Sequence, residues 1–147
     1  MKPGDQPEQV EDERILELED SLFKTIVVHL ILSKDTERAV ELVAKRFKVK
    51  PPRLGIGHTK GKKIALAVYS VTANTILFSE QQYYFDPFVA LHEMYHCIRS
   101  KSGNHRGTEK NADRFAIDYI SEYRKSVAAL NMQNKLANTD AFPSNVD

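Results

Sequence analysis

A chain of 147 residues suits one domain with a real core, and its composition, 41% hydrophobic and 28% charged, is that of an ordinary soluble globular protein. The longest apolar run, residues 25–32, is eight residues long and contains His29, which excludes a helical membrane span, and the single cysteine, Cys97, excludes an intrachain disulfide. The net charge of +1 conceals two opposed clusters: residues 1–20 carry eight acids against Lys2 and Arg14, whereas residues 45–63 carry eight basic residues and no acid.

In chain order, residues 1–9 read as a disordered leader, with a single domain over 10–130 and a polar C-terminal tail over 131–147. From Val10, the apolar positions Ile15, Leu18, Leu22, Ile26 and Leu30 recur at steps of three and four and predict an amphipathic helix. The β-branched Ile26-Val27-Val28 leaves a helix-to-strand switch near Lys24 open. His29, inside that apolar run, reads as a satisfied core histidine. Ser33-Lys34-Asp35 starts a second helix over 36–47, which Pro51-Pro52 stops.

Residues 53–57 predict a short strand, and 58–62 a loop in which His58 is exposed. Residues 63–69 and 74–79 predict two strands paired antiparallel. Tyr83-Tyr84-Phe85 then reads as core cover. Asp86 and Pro87 supply an N-cap and a first helical residue for a helix reaching about Ser100. Cys97, within that helix, reads as a buried packing thiol.

This helix carries His92-Glu93-Met94-Tyr95-His96. Residues four apart share a helix face, so the imidazoles of His92 and His96 can converge on one ion while Glu93 reaches a water on it. Neutral imidazole suits zinc, and the adjacent carboxylate can take a proton from the activated water. The same spacing also arises on an amphipathic helix with two surface histidines; the apolar setting of Phe88 to Leu91 and Ile98 favours the metal site. After a glycine-rich loop over 101–107, Thr108 caps a last long helix with an apolar stripe through Ala112, Phe115, Ala116, Tyr119 and Ile120.

A catalytic zinc keeps three protein ligands. His105, Glu109 and Asp113 follow the motif. Glu109 opens the last helix on the side of Ala112 and Ala116 and is favoured, with Asp113 one turn on to hold the second nitrogen of a histidine ligand. His105 stands as the alternative third ligand.

These residues resemble the compact gluzincin-type metallopeptidases: a strand ending in Asn74-Thr75-Ile76-Leu77-Phe78-Ser79, then His92-Glu93-x-x-His96, then Glu109-x-x-Ala112-Asp113-x-Phe115-Ala116. The last stretch is similar to the glutamate helix of the ImmA/IrrE-type family, and the small size to the minigluzincins. The likeness covers roughly residues 35–125. It implies an α+β fold, a small mixed or antiparallel sheet packed on helices, with an active-site helix followed by a glutamate helix. It also implies one zinc ion per chain on His92, His96 and Glu109, Glu93 as general base and acid, and a peptide lying along the strand at 63–69 or 74–79. Tyr95 stands where many ImmA/IrrE-type relatives have glycine, which points toward the minigluzincins.

The expected function is therefore zinc-dependent hydrolysis of peptide or unfolded-protein substrates. Two alternatives stand beside it. The basic run and His105 suggest a three-histidine, SprT-like protease acting on protein bound to DNA. The acids of the N-terminal cluster, or Asp140 and Asp147, could fill the open zinc position, giving a latent zymogen or a regulatory zinc module. The lone cysteine and the acidic N-terminus without a signal pattern suggest a cytoplasmic protein without a membrane partner. Monomer and homodimer are both open.

Overall fold

The computed structural model describes residues 7–58, 65–101 and 108–141. The fold is mixed α+β. In chain order it comprises α1 (Pro7–Leu16), α2 (Asp20–Leu32), α3 (Thr36–Arg46), β1 (Arg53–Ile56), β2 (Ala67–Ser70), β3 (Thr75–Phe78), α4 (Gln81–Tyr84), α5 (Pro87–Lys101) and α6 (Glu109–Ala141).

The first predicted helix is two helices. Glu17 and Leu18 donate to the carbonyls of Arg14 and Ile15, closing the end of α1 with tight i→i+3 bonds before α2 restarts at Asp20. No strand forms near Lys24. Val27 and Val28 are buried in α2, and that burial outweighs their weak helix preference. Pro7 to Gln9, read as leader, form the first turn of α1, with proline at the first helical position.

His29 is exposed rather than a core histidine. The face that α2 buries is Phe23, Val27, Val28 and Ile31, and a residue next to Val28 is turned off it by 100°. The His29 Nε2 lies 3.4 Å from Ser33 Oγ.

The sheet has the order β1-β3-β2. β2 and β3 pair antiparallel as expected, with Tyr69 opposite Ile76, through a turn in which Asn74 has φ 46°. β1 adds in parallel on the other side of β3, which makes the sheet mixed and leaves β2 at its edge. The inner side of β3 is Ile76 and Phe78, both fully buried.

The core joins these to Phe23, Val27 and Ile31 of α2, Leu42 and Val43 of α3, and Leu91, Met94 and Cys97 of α5. Each large apolar side chain removed from water contributes roughly 1.5–3 kcal/mol. Cys97 is fully buried, as its place in the helix suggested. Tyr83 and Tyr84 cover the core, the Tyr84 ring 5.1 Å from that of Phe78.

Asp86 caps α5 through Oδ1, which accepts from Phe88 N at 2.9 Å and Val89 N at 3.4 Å. Thr108 caps α6, its Oγ1 accepting from Asn111 N at 3.1 Å. α6 runs on to Ala141, past the point at which a polar tail was expected to begin. Residues 131–138 are exposed, so the change of composition marks the loss of a buried face and not the end of the helix. Among the described residues no helix is long and apolar enough to cross a membrane.

The opposed charge clusters meet in part. Asp12 is only 6% exposed and accepts from Arg38 Nε at 3.1 Å and Nη2 at 2.9 Å, with Lys45 Nζ at 3.8 Å. Arg46 Nη2 lies 3.4 Å from Asp20 Oδ1. The acidic N-terminus thus neutralises the first two members of the basic run, Lys45 and Arg46. Lys60, Lys62 and Lys63 lie outside the described residues.

Candidate metal centre

The pairing of α5 with α6 builds the site. Ala112 and Ala116 are fully buried and small, which lets α6 come close to α5. Glu109 and Asp113 share their face at three- and four-residue steps, so the two acids are carried toward the histidines. On α5, His92 and His96 sit one turn apart with ring centroids 5.1 Å apart.

Glu109 lies between the two imidazoles. Its Oε2 is 2.9 Å from His92 Nε2 and its Oε1 is 2.9 Å from His96 Nε2. One ligand atom from each of the three residues falls within 4.8 Å of the others. Tetrahedral zinc ligands at about 2.0–2.1 Å have donor atoms about 3.4 Å apart, so small side-chain adjustments bring this set into range. Its chemistry, two imidazole nitrogens and one carboxylate oxygen, suits zinc.

The hydrogen-bond arithmetic at His92 supports that fit. Nδ1 lies 2.9 Å from Asp113 Oδ1 while Nε2 faces Glu109. A neutral imidazole has one N–H and donates to one carboxylate, whereas an imidazolium donates to both. A cation on the Nε2 side would take the place of the proton there and leave Nδ1–H donating to Asp113, which fixes tautomer and ring orientation. Burial, aided by nearby His92 and opposed by Glu109, lowers the pKa of His96, favouring the neutral, ligating form.

Glu93 is turned the other way, toward the sheet. It is 7% exposed, and its Oε1 accepts a hydrogen bond from the main-chain N–H of Tyr69 at 3.1 Å. Desolvation pushes its pKa up to about 7; Glu109 adds to the rise, while His92 and the Tyr69 N–H oppose it.

These residues face a cleft of about 560 Å³. One wall is α5, with Phe88, Val89, His92, Glu93, His96, Arg99 and Ser100; the other is β2 and the segment leading to it, mainly Leu66, Ala67, Val68 and Tyr69. Of the two strands expected to form its rim, β2 is therefore the one that borders the cleft, since β3 is central in the sheet.

All five predicted site residues, His92, Glu93, His96, Glu109 and Asp113, come together. His105 lies outside the described residues. Tyr69 lines the cleft, whereas Tyr95 packs on Phe115, their ring centroids 5.7 Å apart. Sequence reading missed the Tyr69 main-chain contact to Glu93, which no residue type signals. It also missed Arg99, which the step of three from His96 on the same helix face could have revealed.

Comparison with protein-family models, with curated proteins and with solved structures gives no match to this chain.

Proposed function

We propose that the chain is a zinc-dependent metallopeptidase, with His92, His96 and Glu109 as metal ligands and Glu93 as general base. The observation that carries this reading is the Glu109 carboxylate lying 2.9 Å from both His92 Nε2 and His96 Nε2, with Glu93 beside them in the same cleft. When bound, zinc would supply Lewis acidity, lowering the pKa of a water and polarising a carbonyl oxygen.

The chain's own residues account for the rest. Asp113 holds His92 in the tautomer that presents its Nε2 lone pair. Glu93, with its pKa raised by burial, takes a proton at a carboxylate oxygen from the water that attacks the carbonyl carbon and passes it to the amine as the C–N bond breaks. The edge of β2 offers main-chain groups along which an extended peptide can lie. Val68 is on the β3-facing register and Tyr69 N–H turns outward to Glu93, so alternation also turns Ala67 outward.

The substrate class is an unstructured peptide or unfolded protein, because strand addition needs a segment free of its own pairing. The Glu109 contacts favour this reading over the three-histidine alternative. Latency through N-terminal acids has less support: Asp12 and Asp20 are engaged with Arg38, Lys45 and Arg46, and no residue of α1 lines the cleft.

The test compares wild type, Glu93→Gln and Glu109→Ala for zinc content and for cleavage of an unfolded protein. Wild type should hold about one zinc per chain and cleave. Glu93→Gln should retain the metal and lose on the order of 10²–10⁴ in rate. Glu109→Ala should lose metal. Absence of zinc from reconstituted wild type, or full proteolysis by Glu93→Gln, would overturn the proposal.

A further inference from the structure

We infer that Arg99 makes the cleft selective for peptides bearing a carboxylate, either an acidic side chain or a free C-terminus, on the α5 C-terminal side of the reacting centre. This rests on reading the cleft as a peptide site. The α5 residues that line it, Phe88, Val89, His92, His96, Arg99 and Ser100, form one stripe at steps of three and four. From Phe88 to Arg99 the helix rises about 16 Å, the length of roughly five extended peptide residues. His92 and His96 lie in the middle of that stripe. Its two ends differ in chemistry: Phe88 and Val89 at one, Arg99 and Ser100 at the other.

Among the described residues Arg99 is the only lysine or arginine lining the cleft, which also holds the carboxyl groups of Glu93 and Glu109. Those acids would repel an acidic ligand, and Arg99 is the side chain in this wall that attracts one. Arg99 and Lys101 both stand in the last turn of α5, where either cation complements the helix C-terminus. Lys101 is exposed and does not line the cleft; Arg99 is half-buried and does. The helix C-terminus accounts for a cation at both positions; what distinguishes Arg99 is that it lines the cleft.

A guanidinium presents a planar fork of donors that matches a carboxylate, and a partly desolvated wall strengthens the pairing relative to open water. Arg99 follows His96 by about 4.5 Å along the helix axis. Its carboxylate partner belongs one or two peptide residues from the bond held beside the histidines. At the other end, Phe88 and Val89 suit an apolar side chain. The occupant is thus an extended segment, apolar on one side of the centre and acidic on the other.

The experiment measures binding, so that it does not depend on turnover. Fluorescent octapeptides, acetylated and amidated, carry one Leu and either Glu or Gln at each successive position after it; a further set ends in a free carboxylate. Affinity is read by anisotropy on full-length Glu93→Gln protein, with and without zinc, and on the same protein also carrying Arg99→Gln, Arg99→Lys or Arg99→Glu. Thermal melts verify that each variant is folded.

In the Arg99 background a Glu peptide, or the free-acid peptide, should bind at least tenfold more tightly than its Gln or amidated counterpart. Which of the two set the preference falls in identifies the source of the carboxylate. Arg99→Gln should abolish the preference, Arg99→Lys should keep part of it, and Arg99→Glu should turn it toward Lys peptides. Equal affinity for charged and neutral peptides, a preference that survives Arg99→Gln, or no peptide binding would overturn the inference. Selective binding by zinc-loaded wild type with no cleavage of any peptide would support this inference while overturning the peptidase reading.

Discussion

The main-chain N–H of Tyr69 donates to Glu93 Oε1 at 3.1 Å, tying the acid on α5 to the edge strand of the sheet. The bond holds Glu93 in the wall of the cleft while leaving it 7% exposed. Burial raises its pKa to about 7 and this one N–H offsets only part of the rise. A pKa near neutral would suit the proposed role of Glu93 as a base, available to take a proton and able to release it again.

The same shift predicts a pH-dependent stability of the metal-free protein. An unfolded glutamate titrates near pH 4.3, well below the folded value of about 7. Between those values the folded state holds the proton and the unfolded state does not, so stability is greatest below about pH 4.3, falls as pH rises through about 7, and then levels off. The total is about 4 kcal/mol. His96, with its lowered pKa, contributes the opposite slope. The difference between wild type and Glu93→Gln isolates the glutamate. Urea unfolding of both at pH 5 and pH 8 should show wild type losing about 2.5 kcal/mol more than the variant, most of the total. Parallel behaviour of the two would mean that Glu93 titrates as an exposed acid.

Asp113 gives a prediction about metal affinity. Its Oδ1 is 2.9 Å from His92 Nδ1, and carboxylates in that position fix the ring of a metal-binding histidine. Asp113→Ala should weaken zinc binding about 10–100-fold with little effect on unfolding of the metal-free protein. Asp113→Asn, which keeps an acceptor oxygen, should weaken it less. Competition with a chelator of known affinity gives the numbers; unchanged affinity in both variants would reduce Asp113 to an ordinary helix acid.

Much of the site was legible because its residues are close in sequence or on regular helices. The step of four from His92 to His96, and the return of acids at Glu109 and Asp113 beside Ala112 and Ala116, are periodic signals that a helix converts directly into position. The caps at Asp86 and Thr108 are equally local. Elsewhere the deciding force was not local. The split between α1 and α2 interrupts an apolar spacing that continues across it, and helical Val27 and Val28 follow from what covers them. The parallel addition of β1 to β3 is a long-range pairing, so it left no mark on either strand. The persistence of α6 beyond residue 131 was hidden because a solvated helix face and a polar tail have the same composition.

Asn74 shows how a loop residue can support the cleft from behind. Its Oδ1 accepts from Tyr69 Oη at 2.7 Å and lies 3.7 Å from Cys97 Sγ, and its Nδ2 donates to the Pro51 carbonyl at 3.3 Å. Its φ of 46° is the left-handed region that asparagine tolerates better than most residues. Asn74→Gly should lose the side-chain contacts but relax the backbone; Asn74→Ala should lose both and be about 1 kcal/mol less stable than the glycine variant. Equal denaturation midpoints for the two would show that the backbone at this turn carries no strain.

The last prediction concerns the N-terminal acids, because it separates a structural role from a latent one. Asp12 is nearly buried and draws two hydrogen bonds from Arg38, with Lys45 further away at 3.8 Å. Removing Arg38 strands a carboxylate with one distant partner, so Arg38→Ala should cost about 3 kcal/mol. Removing both partners leaves no buried charge to solvate. The double variant Asp12→Ala/Arg38→Ala should therefore lose clearly less than the sum of the single changes. If these acids served to block the metal, deleting residues 1–20 would raise zinc-dependent cleavage. If they clamp α1 onto α3, as the contacts with Arg38 and Lys45 indicate, the deletion should lower the unfolding midpoint and leave the rate per folded molecule unchanged. A rise in that rate at unaltered stability would return the cluster to an inhibitory role.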